Sequence, residues 1–153
     1  MKIQILSGEA AKKMLADNAF PAHTAVVCFT DGESQIDYSS VTDRIFCVDV
    51  PDISMDDLTD YKYTVDDFAD AMHADEMAQF ILDAYRDGYD FICQCTYGES
   101  RSAAVAAAIR EYFFHDGIQV FADYRYCPNQ LVFNTLYDAL CTQNSETRNI
   151  DDK

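Results

Sequence analysis

Positive charge is scarce in this chain of 153 residues: 11 Lys and Arg stand against 27 Asp and Glu, a formal net charge of −16. A surface this acidic stays soluble and repels nucleic acid and anionic membranes, so neither is expected as a partner. Long hydrophobic runs are also lacking. No stretch approaches the roughly 20 apolar residues of a membrane span. The opening MKIQILSGEA carries one lysine and a short apolar stretch that gives way at once to a polar helix pattern, unlike a secretory signal. A cytoplasmic location is the resulting expectation. Metal-ligand spacing is missing as well: His23, His73 and His115 lie near no cysteine cluster, and the close pair Cys93 and Cys95 is C-x-C rather than C-x-x-C. The six cysteines lack the loop-rich context of a disulfide scaffold. Internal repeats and low-complexity segments are absent.

What is present is a globular pattern. Hydrophobic residues make up 49% of the chain, enough to bury a core, and the length fits one domain. Strands are expected at residues 2–6, 24–30, 44–50 and 89–95, where β-branched and apolar residues run together. Between them lie helical patterns. Ser7 stands as an N-cap before GEAAKKMLAD. Thr64 and Asp67 resemble a capping box. Met77, Phe80, Ile81 and Tyr85 recur at helical spacing, with Gly88 as the C-cap glycine. RSAAVAAAIREYFF follows the fourth strand, with Asp116-Gly117 to end it. Pro128 is placed to open a last helix over QLVFNTLYDAL. Strands alternating with helices predict an α/β fold, a mostly parallel central sheet flanked by helices. A single domain over 1–141 is expected, followed by a polar, frayed tail over 142–153.

The stretch CQCTYGESRSAAVAAAI concentrates the chemistry. A strand delivers Cys95 into a short loop that runs into a helix. The first amides of a helix have no intrahelical partners and attract an anion. The same positive end lowers a thiol pKa and favours the nucleophilic thiolate. Gly98 lets the loop curl with its N–H groups inward. Arg101 adds a planar fork for two phosphate oxygens, and Ser102 brings a hydroxyl within reach of the sulfur. A bare Cys-x5-Arg arises by chance. The apolar strand before it, the glycine, the serine after the arginine and the helix beyond make it a phosphate-binding loop.

Cys95-Thr96-Tyr97-Gly98-Glu99-Ser100-Arg101-Ser102 resembles the Cys-x5-Arg-Ser/Thr signature of the protein tyrosine and dual-specificity phosphatases. GESRSAAVAAAI and Arg125-Tyr126-Cys127-Pro128-Asn129 are similar to segments of a small microbial branch of predicted tyrosine phosphatases. The resemblance is strong from about residue 73 to 141. It implies a tyrosine/dual-specificity phosphatase-like fold and phosphomonoester hydrolysis through a phosphocysteine, with no metal or cofactor. Cys95 would be the nucleophile. Thr96, Tyr97, Gly98, Glu99, Ser100 and Arg101 would hold the phosphoryl group, and Ser102 would help the sulfur leave. The substrate would be a phosphorylated protein or a small phosphomonoester, and inorganic phosphate, sulfate or vanadate would occupy the same loop.

The resemblance also implies an aspartic acid on the loop after the third strand. Asp52 follows Pro51, similar to the Pro-Asp of the family's acid loop, and comes first. Asp49, at the strand end, and Asp57 are the alternatives, with Asp56 and Asp60 behind them. Two departures stand out. The family usually places His before the nucleophile, where this chain has Gln94, and Glu99 sets a carboxylate in the loop. Gln94 keeps a second reading open: a phosphate- or phosphoprotein-binding module with little or no turnover. Cys93 shares the strand face of Cys95 by the period of two and reads as a packing residue. Tyr97 and Tyr126 could line the mouth or cover the core edge.

Overall fold

The computed structural model describes residues 1–32 and 35–151. Four strands form one sheet: β1 (Ile3–Ser7), β2 (Thr24–Thr30), β3 (Ile45–Asp49) and β4 (Asp90–Cys95). Their order is β1-β4-β2-β3 and every pairing is parallel. All four expected strands are therefore found, each within a residue or two. In a parallel sheet, connections return over the faces, and helices fill them. These are α1 (Gly8–Ala16), α2 (Val65–Ala71), α3 (Ala74–Arg86), α4 (Arg101–Phe114), α5 (Ile118–Ala122) and α6 (Gln130–Asp151).

The period of two along each strand divides the core. Ala25, Val27, Phe29, Phe91, Cys93 and Cys95 face α3, α4 and α6 in the main cluster, with Met77, Ile81, Ile109 and Leu136. Val26, Cys28 and Ile92 face the other way, onto Ala11 of α1 and Tyr38. Consecutive residues of β4 thus serve opposite layers: Cys93 and Cys95 one, Gln94 the other. The alanines of α4 are fully buried, and their small side chains let this helix lie close against the sheet.

Local signals explain most boundaries. The Ser7 hydroxyl accepts from Ala10 N–H at 3.1 Å and starts α1. Thr64 and Asp67 close a reciprocal capping box on α2. Gly88, at φ +78°, follows the end of α3. Three expectations need correction. His115, in the left-handed region at φ 56°, ends α4 before Asp116-Gly117. Asn129, not Pro128, opens α6, because its Oδ1 accepts from Val132 N–H at 3.0 Å as an N-cap. The helix then runs on to Asp151, where the sequence reading placed a frayed tail from residue 142; hydrophobic periodicity stops earlier, and backbone hydrogen bonds do not require it. The five-residue α5 was not anticipated, being too short to show a period. The sulfurs of Cys28 and Cys47, opposite each other in the β2–β3 register with Cα atoms 4.5 Å apart, are in contact, a pair the sequence reading did not foresee.

Candidate active site

The carboxyl ends of β2, β3 and β4 converge on the loop from Thr96 to Ser100. Cys95, at the end of β4, is buried, and so is Ser102 in the first turn of α4. Cys95 Sγ lies 3.1 Å from Ser102 Oγ. Burial pushes the thiol pKa up. The Ser102 hydroxyl, the N–H groups of Ser102 and Gly98, and the Arg101 charge outweigh it, and the net shift is downward. Cys93, two residues back and completely enclosed, goes the other way: burial and the neighbouring sulfur raise its pKa. Cys93 and Cys95 are both free thiols.

Gly98 is indispensable to this shape on two counts. Its φ is +70°, and a Cβ there would stand 2.5 Å from Ser7 N and 2.7 Å from Leu6 C at the end of β1. Thr96 ties the loop to the same junction of β1 and α1, its carbonyl accepting from Gly8 N–H at 3.1 Å. Tyr97 and Glu99 are exposed, Tyr97 at 79%. Tyr97 therefore stands at the rim rather than at the core edge.

Ser100 occupies the N-cap position of α4, yet its side chain makes no cap bond. Its hydroxyl donates instead to Asp52 Oδ1 at 2.8 Å. No side chain therefore caps the first amides of α4, and the Ser102 N–H turns to the Cys95 sulfur.

Arg101 is 2% exposed despite its charge. Its Nη1 donates to Val50 O at 2.7 Å and to Thr30 O at 3.3 Å, the last carbonyls of two strand regions. Its Nη2 reaches Thr96 Oγ1 at 3.5 Å and sits 3.7 Å from the Asp31 carboxylate. Nε is buried and donates to no group among the described residues. One end of the guanidinium is thus anchored, while the Nε–Nη2 edge retains donors in the spacing that matches two oxygens of a phosphoryl group.

The first three aspartate candidates, Asp52, Asp49 and Asp57, fall in different places. Asp52 Oδ1 takes hydrogen bonds from Ser100 Oγ and from Asn129 Nδ2, the latter at 2.7 Å, so Asp52 stands against the loop that ends at Ser100. Asp49, at the end of β3, accepts from Gly32 N–H at 3.2 Å. Asp57 turns back on its own segment, accepting from Ser54 N–H and Oγ, and these bonds lower its pKa.

Sequence reasoning missed Asp31, Tyr38 and Asn129. Tyr38 is buried, and its hydroxyl donates to Gln94 Oε1 at 3.1 Å; burial raises the phenol pKa. Gln94 is thereby fixed on the layer opposite Cys95. A tyrosine on an irregular segment gives no periodic signal, and Asp31 and Asn129 look like ordinary turn and cap residues.

No protein-family model matches the sequence, and no curated protein matches it at a significant level. Solved structures do. Human DUSP28 is 18% identical over 94% of both chains, with a TM-score of 0.58. PTPMT1, in a complex with PI(5)P, is 10% identical over 95% of this chain and 94% of its own, at 0.55. Tk-PTP in its active form is 16% identical over 90% and 89%, also at 0.55. Identities this low speak to the fold, and the strand–loop–helix carrying Cys95 and Arg101 sits within the covered span. The chain has the fold of the protein tyrosine and dual-specificity phosphatases.

Proposed function

We propose that the protein is a phosphomonoester hydrolase that works through a phosphocysteine. The observation that carries this reading is the anchored Arg101. A buried guanidinium held at Nη1 by two carbonyls, its Nε without a partner among the described residues and its charge helping to lower the Cys95 thiol pKa, fits a bound phosphoryl group.

The Cys95 thiolate attacks phosphorus in line, forming the S–P bond as the bond to the leaving oxygen breaks. The Arg101 edge and the N–H groups of residues 96–101 stabilise charge on the equatorial oxygens. Asp52 gives its proton to the leaving oxygen. Water then attacks the phosphocysteine, Asp52 takes up its proton, and the S–P bond breaks to release phosphate. Ser102 donates to the departing thiolate across the 3.1 Å contact. Substrates on this reading are phosphorylated proteins or small phosphomonoesters.

The test is p-nitrophenyl phosphate hydrolysis by wild type and Cys95→Ser, beside vanadate titration by calorimetry. Turnover by wild type, lost in Cys95→Ser, is expected. Vanadate binding with no turnover by wild type would instead establish the phosphate-binding module that Gln94 brings to mind, and equal rates in both proteins would overturn the phosphocysteine.

A further inference from the structure

The segment Tyr126-Cys127-Pro128-Asn129 has no part in the steps above, yet it bonds both the outer side of the loop and Asp52. Cys127 N–H donates to Glu99 O at 2.9 Å and Asn129 N–H to Ser100 O at 3.2 Å, two backbone bonds that strap the outer side of the phosphate loop. The Asn129 side chain goes further. Its Nδ2 donates to Asp52 Oδ1 at 2.7 Å and to Ile53 O at 2.8 Å, while its Oδ1 accepts from Val132 N–H at 3.0 Å. The three partners fix the amide orientation, since only nitrogen can donate to a carbonyl and only oxygen can cap a helix.

We propose that Asn129 is a positioning residue that sets Asp52 as a proton donor over the phosphate loop. The proposal rests on the phosphatase reading above. Asp52 Oδ1 receives two donors, Asn129 Nδ2 and Ser100 Oγ. A carboxyl proton on that oxygen would oppose both. The proton therefore resides on Oδ2, and the torsion of the carboxyl group is set from two sides. Ser100 ties that group to the loop, and Asn129 ties it to the N-terminus of α6, which is packed on α3 and α4. The acid is thus referenced to the core of the molecule as well as to the loop it serves. Proton transfer needs the donor within hydrogen-bond reach of the leaving oxygen, and small misplacements cost rate steeply.

The leaving group separates positioning from mere support. p-Nitrophenolate departs without a proton far more readily than phenolate, so loss of the acid shows on phenyl phosphate first. Asn129→Ser keeps a good N-cap for α6 but removes both N–H donors. Expected for this variant is a fall in kcat/KM, which reports only the steps up to loss of the leaving group, of at least about tenfold on phenyl phosphate and less than about threefold on p-nitrophenyl phosphate. Asp52→Asn should show the same selectivity, and Asp52→Asn with Asn129→Ser should fall no further than Asp52→Asn alone. Equal losses on the two substrates, or independent losses in the double variant, overturn the role of Asn129 and leave the hydrolase standing. A wild type inert on both substrates overturns both.

Discussion

Burial alone would keep the proton on Cys95, as it does on Cys93 two residues away. The difference between the two thiols is their company. Cys95 meets the Ser102 hydroxyl, the amides of Ser102 and Gly98 and the Arg101 charge, and Cys93 meets apolar side chains. Because the folded thiol of Cys95 releases its proton at lower pH than an unfolded one, the native state binds fewer protons between the two values. Its contribution to stability therefore grows as pH rises through that interval, is complete above the unfolded value, and is lost as pH falls through the folded one. Iodoacetamide should accordingly alkylate Cys95 at a pH where free cysteine reacts slowly. In Ser102→Ala the midpoint should move up. Peptide mass spectrometry across a pH series reads both, and a wild-type midpoint at or above that of free cysteine would contradict the assigned balance. At this scale the sequence was informative where chemistry is local: Cys95, Arg101 and Ser102 are neighbours along one strand–loop–helix. It was silent on Tyr38 and Gln94, which lie 56 positions apart and meet only because β4 turns Gln94 toward the α1 layer.

The element that carries the site is β4 with its loop and α4, and Gly98 is the point where it touches β1. For any L residue the positive φ costs about 1–3 kcal/mol, and the overlap with Ser7 and Leu6 backbone adds to it. Gly98→Ala should lower the urea midpoint and weaken vanadate binding by more than about tenfold, since the loop amides depend on this curl. Gly8→Ala is the matched control: its Cβ would meet nothing closer than 3.7 Å, so a change of no more than a few tenths of a kcal/mol is expected. Thermal melts and calorimetry decide between them. The turn itself was legible, because a glycine in a short loop before a small-residue helix has few other uses. The behaviour of Ser100 was not. A serine at an N-cap position ordinarily bonds the helix, and only the nearness of Asp52 in the fold redirects its hydroxyl.

Over the whole molecule, a net charge of −16 surrounds a site that, on the proposed function, draws an anion in. Arg101 and the helix amides act at contact distance, whereas the acidic surface acts at long range. The Debye length shrinks from about 30 Å at 0.01 M salt to about 8 Å at 0.15 M. Raising ionic strength between those limits should therefore screen the repulsion and increase kcat/KM for phenyl phosphate, with kcat little changed. Steady-state kinetics at fixed pH in sodium chloride tests this, and a fall in kcat/KM would mean that the local field of the loop extends further than the surface charge.

The sequence by itself determined the four strands, their alternation with helices and the phosphate-sized loop at the end of the fourth. Each depends on periodicity, on a cap or on residues a few positions apart. It also put Asp52 first on the local Pro51-Asp52 pair, with Asp49 and Asp57 as alternatives and Asp56 and Asp60 behind them, but it could place none of them against the loop. Tertiary structure sets Asp52 against Ser100 and Asn129 and leaves Asp57 bonded to its own segment. The β2–β3 and β2–β4 registers bring Val50 and Thr30 carbonyls onto Arg101, and the start of α6 brings Asn129 onto Asp52. A hydrogen bond between residues 77 positions apart exists only after the chain has folded, which is why the contact of Asn129 with Asp52 could not be read before the sheet and its last helix were in place.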